Sequence, residues 1–323
     1  MTMLARALML MLLFTGSAFA PPAFAQANLI QTGDLATRGL KESDFPRIKQ
    51  LAPGVYTYEA AGVADPPGLM TTNSLIVVAA DGVIVADGQG SVPAAEKMIA
   101  EIKKLTRAPI KYVVVCSDHS DHTAGNPAFK AAFPDVVFIS SPVSQKALAA
   151  SANPPTETVT DKRTLKLGAT EVEILNLGRA HTGGDLSVYV PATKVLFMSE
   201  AYFHRLFPAM RAGYPSEWLA AIGKAQAMNA TWYIPGHGFV DDAPTLKAEL
   251  EEARKAIAHV IKEATRLHAL NLQCPPRVRG APPPACPAND KADWGPYADW
   301  TLHGTEPPIA ISRVYQEIEG KLP

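Results

Sequence analysis

The sequence predicts an α/β fold built as a layered sandwich. Three observations carry that prediction. From residue 54 onward, strand-like apolar runs alternate with helical stripes. The strands are joined by both tight hairpins and longer crossovers, as in layered α/β architectures. One run, IKYVVVC (110–116), is nearly continuous in apolar residues, so it belongs in the middle of a sheet covered on both faces. A chain of 323 residues can bury a real core as one large domain or two modest ones.

Taken in order, the first segment is MTMLARALMLMLLFTGSAFA, in which a single Arg precedes a short apolar stretch ending in small residues. That is the layout of a secretory signal peptide. Cleavage after Ala20 or Ala25, each closing an Ala-Phe-Ala, predicts removal of residues 1–25 and a periplasmic or secreted protein with no stable membrane anchor. The stretch falls short of the ~20 residues a spanning helix needs; an uncleaved anchor is the alternative. No Cys follows either site, which argues against a lipid anchor.

The main domain is expected over 26–270. GVYTYEA (54–60) and NSLIVVAADGVIVADG (73–88) read as strands, with Asp81-Gly82 as a tight hairpin signal. Residues 94–105 carry Met98, Ile99, Ile102 and Leu105 at helical spacing, with Pro93 near the start. After 110–116 come strands at VVFIS (136–140), TEVEILNLG (170–178), LSVYVP (186–191) and KVLFMS (194–199). Helices follow at 217–228 and from 245 to about 270, the second with Leu246, Leu250, Ile257, Ile261 and Leu267 on one stripe. The remainder, 271–323, reads as a Pro-rich loop and a last helix, 309–319, packed on the domain.

Charge narrows the partners. A formal net charge of -1, with no basic run and no aromatic-basic stripe, excludes nucleic acid and leaves a small-molecule substrate as the expectation. Cys274 and Cys286 bracket CPPRVRGAPPPAC, a loop that a disulfide could close in an oxidising compartment; a zinc site using the pair is the weaker alternative. Cys116 ends an apolar run and reads as a packing residue.

Four of the eight histidines stand where chemistry collects in such folds, on loops at strand ends. His119 and His122 follow the strand ending at Cys116 in VVVCSDHSDHTAGN; His181 lies in GRAHTGGD and His237 in PGHG; Glu200 stands just beyond KVLFMS. Imidazole and carboxylate gathered from several loops suit zinc, which at a catalytic site needs about three protein ligands and an open position.

DHSDHTAGN resembles the HxHxDHxxGN signature of the metallo-β-lactamase fold superfamily. AHTGGD resembles its AHTPGD motif, KVLFMSE the strand ending in its bridging aspartate, IPGHG its last histidine motif, and NSLIVVAADGVIVADG its early hairpin. The motifs span roughly residues 50–240 in the family's order. The tail, with YADWTLHGTEPPIAISRVYQEIEGKLP, resembles an exported subset that includes quinoprotein-relay and sulfur-oxidation-associated hydrolases. The resemblance implies a four-layer αββα sandwich with one or two metals at the sheet edge. It assigns His119 and His181 to the first metal, Asp121, His122 and His237 to the second, and Glu200 to the bridging carboxylate.

Two departures stand out. Ser117 occupies the place of the leading histidine, and a neutral hydroxyl is a poor zinc ligand. Asp118 is adjacent, but neighbours on extended backbone point opposite ways. Glu200 replaces aspartate, with one methylene more. The expectation is one dominant Zn2+ at Asp121, His122 and His237, with the other pocket weak or empty. Water activated at that zinc then attacks a carbonyl carbon, with Asp121, Glu200 and His119 as catalytic groups. Glu200 or His119 orients the water, and His181 hydrogen-bonds to it or to the oxyanion. Asp185 is expected to orient a ligating histidine, while Thr182, Gly183 and Gly184 set backbone geometry. The implied activity is hydrolysis of an ester, thioester, lactone or β-lactam type bond. The alternative, motivated by Ser117, is a non-catalytic periplasmic metal-binding accessory protein. An iron-dependent sulfur oxygenase fits poorly, because such enzymes use the incomplete first set.

Overall fold

One long strand, β3 (Leu69–Ala79), belongs to both halves of the sheet. Here a computed structural model describes residues 35, 38–63, 69–277 and 283–323, so the expected signal peptide lies outside the described residues. Along one edge β3 pairs antiparallel with β2 (Val55–Val63), which carries β1 (Arg47–Ala52). Along the other edge its C-terminal half pairs with β4 (Gly82–Ala86), whereas Thr72, nearer its start, pairs with His237 at the end of β12 (Trp232–His237). The sheet therefore divides at this strand.

From β4 the first half continues in parallel through β5 (Ile110–Val114), β6 (Val137–Ser140) and β7 (Glu157–Thr158). From β12 the second half continues through β11 (Val195–Phe203), β10 (Ser187–Val190), β9 (Thr170–Leu175) and β8 (Lys162–Leu167).

Strand alternation assigns each face its partner. Ile76 joins Val83, Val85 and Val113 against Met98, Ile99 and Ile102 of α1 (Val92–Leu105) and Phe129 of α3 (Asn126–Ala132), which follows the short α2 (Ser120–Thr123). Full burial of each large apolar side chain of α1 contributes about 1.5–3 kcal/mol. Leu75 and Val77 point the other way, into a core shared with Val172, Ile174 and Val188. That core extends to the later helices α5 (Pro215–Ala227), α6 (Ala243–Ala269) and α7 (Pro307–Ile318), with α4 (Pro142–Ala147) lying after β6. Helix, sheet, sheet and helix stack as four layers.

The differences from expectation are local. β1 (RIKQLA) and β8 (KRTLKL) escape a hydrophobicity reading because basic residues interrupt them, yet Leu165 and Leu167 of β8 are buried. β11 runs on to Phe203, so Glu200 sits inside a strand rather than beyond its end. In the tail, Cys274 and Cys286 form a disulfide, while Cys116 is buried and free. α7 is tied down by Tyr315, whose hydroxyl donates to the Leu272 carbonyl (3.0 Å), and by Arg313, whose Nε donates to the Gly213 carbonyl (2.6 Å). Among the described residues no helix is long and apolar enough to cross a membrane.

Candidate metal centre

Four segments converge where the two half-sheets meet. β5 delivers Ser117, and the following turn presents His119, Asp121 and His122 at the start of α2. The β9–β10 loop supplies His181, β11 supplies Glu200, and β12 ends in His237. Glu200 reaches the site because β11 is distorted. Ser199 adopts φ +47°, and the β11–β12 register slips on both sides of it. A bulge of this kind re-aims the following side chain. Gly236 on β12 permits it, since a Cβ there would lie 2.5 Å from the Ser199 carbonyl carbon.

Two donor groups result, and they share one carboxylate. Asp121, His122, Glu200 and His237 form one, and His119, His181 and Glu200 the other, each with ligand atoms within 4.8 Å of one another. In the first, His237 Nε2 lies 3.2 Å from Asp121 Oδ2 and 3.3 Å from Glu200 Oε1. His122 Nε2 lies 3.6 Å from Asp121 Oδ2 and 3.8 Å from Glu200 Oε1. In the second, Glu200 Oε1 is 3.3 Å from His181 Nε2, and Oε2 is 2.8 Å from His119 Nδ1. Ser117 joins neither group; its hydroxyl donates to Glu200 Oε2. Asp118 also stays outside both, and burial raises its pKa.

The residues fit a metal ion. His237 Nδ1 lies 2.9 Å from the Thr71 carbonyl, so that nitrogen carries the proton. His122 Nδ1 lies 3.0 Å from Asp87 Oδ2, and the carboxylate favours the proton on that nitrogen although the two are not aligned as a hydrogen bond. Their Nε2 atoms, left with bare lone pairs, stand 3.1 Å apart. Such a pair is favourable only with an electrophile to share, a metal ion or a proton.

The electrostatics agree. Burial opposes charge on His237, but Asp121 and Glu200 outweigh it and raise its pKa to about 10. Burial likewise opposes charge on His119, and Glu200 outweighs it, raising the pKa to about 9. Burial raises the Glu200 pKa, yet charge on His122 and hydrogen bonds from His119 and His237 more than offset it and hold the carboxyl well below its usual range. Burial dominates at His181, which is pushed down to about 4 and stays neutral. The pocket is built to surround positive charge with carboxylate.

The sequence pattern overlooked Asp87, which organises this centre from the VIVADG hairpin. Its Oδ2 faces His122 and accepts from the Ser199 hydroxyl (2.6 Å), while Oδ1 accepts from the Cys116 amide (2.8 Å). An Asp at the end of a buried strand is the same strand-end signal that marked the histidines. Asp185, by contrast, accepts from the Thr182 amide (2.7 Å) and hydroxyl (2.6 Å) and so closes its own turn rather than orienting an imidazole. Burial pushes its pKa up to about 7. Gly184 packs against Ser141 and Ser144, where a Cβ would lie 2.4 Å from Ser144 Oγ.

A cleft of ≈ 790 Å³ opens over the donors, walled by Met70, Phe203, Leu206 and Leu302, with Arg211 and Arg277 at its rim. The tail therefore contributes to the cleft through Arg277, Leu302 and Glu306. Of the aromatic residues in 201–215, only Phe203 lines it. Tyr202 donates to the Leu246 carbonyl on α6 (3.1 Å), Phe207 packs edge-on against Trp294, and Met210 is core. His204 is buried away from the donors, its Nδ1 2.7 Å from the Phe239 carbonyl.

Residues 67–237 match the family model described as "Metallo-beta-lactamase superfamily". Among curated proteins, "Metallo-beta-lactamase type 2" from Bacillus sp. (strain 170) is 23% identical over 212 residues, 63% of this chain and 80% of that protein. Among solved structures, a metallo-beta-lactamase from Pontibacter korlensis superposes with TM-score 0.58 at 20% identity, covering 65% of this chain and 98% of its own. One from Hirschia baltica gives TM-score 0.57 at 18% identity, covering 65% and 97%. At these identities the structural likeness is one of fold.

Proposed function

Because the chain belongs to the metallo-beta-lactamase superfamily, we propose that this hydrolase is an exported zinc enzyme, periplasmic or secreted. Its substrate is a small molecule with an ester, thioester, lactone or β-lactam type bond. The observation that carries the reading is the convergence of four imidazoles and two carboxylates, of which His119, His181, His237, Asp121 and Glu200 line one cleft and His122 is buried behind them.

Asp121, His122 and His237 would hold the dominant zinc, with Glu200 beside them. Bound there, zinc supplies Lewis acidity and activated water at about pH 7. The remaining chemistry belongs to the chain. Glu200 Oε2, 2.8 Å from His119 Nδ1, forms a carboxylate–imidazole pair that can take up and pass on a proton. His181, neutral and packed edge-on against Phe203 and Trp218, offers a fixed hydrogen-bonding group without added charge. Met70, Phe203, Leu206 and Leu302 exclude water from the acyl portion. Arg277 at the rim favours substrates bearing a carboxylate, whereas Arg211 beside it is already paired with Glu306 (2.9 Å).

The test is turnover by the mature protein across β-lactams, lactones, thioesters and simple esters, with carboxylate-bearing and neutral members of each. The expected result is hydrolysis that a chelator abolishes and zinc restores, with lower KM for the anionic members. Zinc binding without turnover of any member would favour the accessory-protein reading instead.

A further inference from the structure

We propose that Ser117 is a positioning residue for Glu200: its buried hydroxyl orients the carboxylate that Glu200 shares with His119 and His181, so the weaker of the two donor groups depends on a side chain that ligates nothing. The proposal rests on the metal-centre reading above. It concerns how this chain manages with a hydroxyl where a larger donor would otherwise stand.

Ser117 is wholly buried. Its Oγ accepts from the His119 amide (3.3 Å), so its single proton is free to point at Glu200 Oε2, which it contacts. Serine thus ligates nothing itself. It holds a carboxylate that does. The same Oε2 lies 2.8 Å from His119 Nδ1, while Oε1 stands 3.3 Å from both His181 Nε2 and His237 Nε2. One carboxylate therefore faces both donor groups, an oxygen toward His119 and an oxygen between His181 and His237.

The sizes of the two side chains are interdependent. Ser117 Oγ already touches the carboxylate, so an imidazole at 117 would overlap Glu200. An aspartate at 200, one methylene shorter, would withdraw from Ser117 and His119 and leave a buried hydroxyl without its acceptor, a costly state. His181 Nδ1 is buried without a hydrogen-bond partner, so nothing on that side fixes its tautomer and its Nε2 depends on Glu200 and whatever lies beside it. With three donors against four, this second position is the weaker.

The experiment is titration of metal-free protein with Zn2+ against a chromogenic chelator, with thermal unfolding of each metal-free variant to confirm folding. The wild type takes up two ions, the second more weakly. Ser117→Ala weakens the second ion by about 10- to 100-fold, the usual effect of removing a group that orients a ligand, and changes the first much less. Ser117→His and Glu200→Asp each lose the second ion, and the double variant regains it. If Ser117→His fails to fold, Ser117→Ala and Glu200→Asp decide. Saturation of the wild type at one ion overturns the proposal, as does Ser117→Ala binding the second ion within twofold of wild type. Wild-type protein that binds no zinc overturns the functional reading itself.

Discussion

Glu200→Ala strips the protein of metal and abolishes turnover. Glu200 is buried and is the only residue in both donor groups. Its removal leaves His119, His122, His181 and His237 facing one another, with only Asp121 among them and Asp87 behind His122 to balance any charge gathered there. Losing a partner that merely orients a metal ligand costs about 10–100-fold in affinity or activity; losing a shared ligand exceeds the upper figure in both. The check is metal content after gel filtration, together with kcat/KM on the best substrate of the panel. A variant that keeps its full metal load and more than about a tenth of its activity, above even the mildest of those losses, contradicts the assignment.

Metal-free protein loses thermal stability between pH 7 and pH 10, whereas the metal-loaded protein holds its Tm over the same range. His237 and His119 have folded-state pKa values raised to about 10 and about 9, from the ordinary 6.5. The folded state therefore binds these protons more tightly than the unfolded chain does. Their contribution is complete below about pH 6.5 and is lost as pH rises through 9–10. His237, only 3% exposed, carries most of it; His119, at 34%, is screened by solvent. Bound metal takes the place of these protons, which removes the dependence. A relative fall of roughly 3 °C corresponds to about 2 kcal/mol for a chain of this size. Other titrating groups act on both forms and cancel in the difference. A gap between the two Tm values that stays flat or narrows with rising pH would refute the electrostatic description.

The parts legible in the sequence are those with strong local signals. The apolar run 110–116, the Asp81-Gly82 hairpin and the stripe of α6 each encode their own structure, and His119, His122, His181 and His237 announce themselves by lying at strand ends. What was not legible depends on contacts between distant segments. Glu200 enters the site through a left-handed Ser199 backbone that no composition signal marks. Ser117 reads as a missing ligand, because its partner lies 83 positions away. Asp87 passes for a hairpin residue until His122 and Ser199 are seen against it. Arg277 and Leu302 reach the cleft only because the tail folds back over α6.

The most direct test is the transition-metal content of the purified mature protein and of its Asp121→Ala and His237→Ala variants, measured by elemental analysis. The account predicts at least one tightly held equivalent of zinc in the wild type and its loss from both variants. A wild-type protein without transition metal, or variants that keep the full complement, would contradict it.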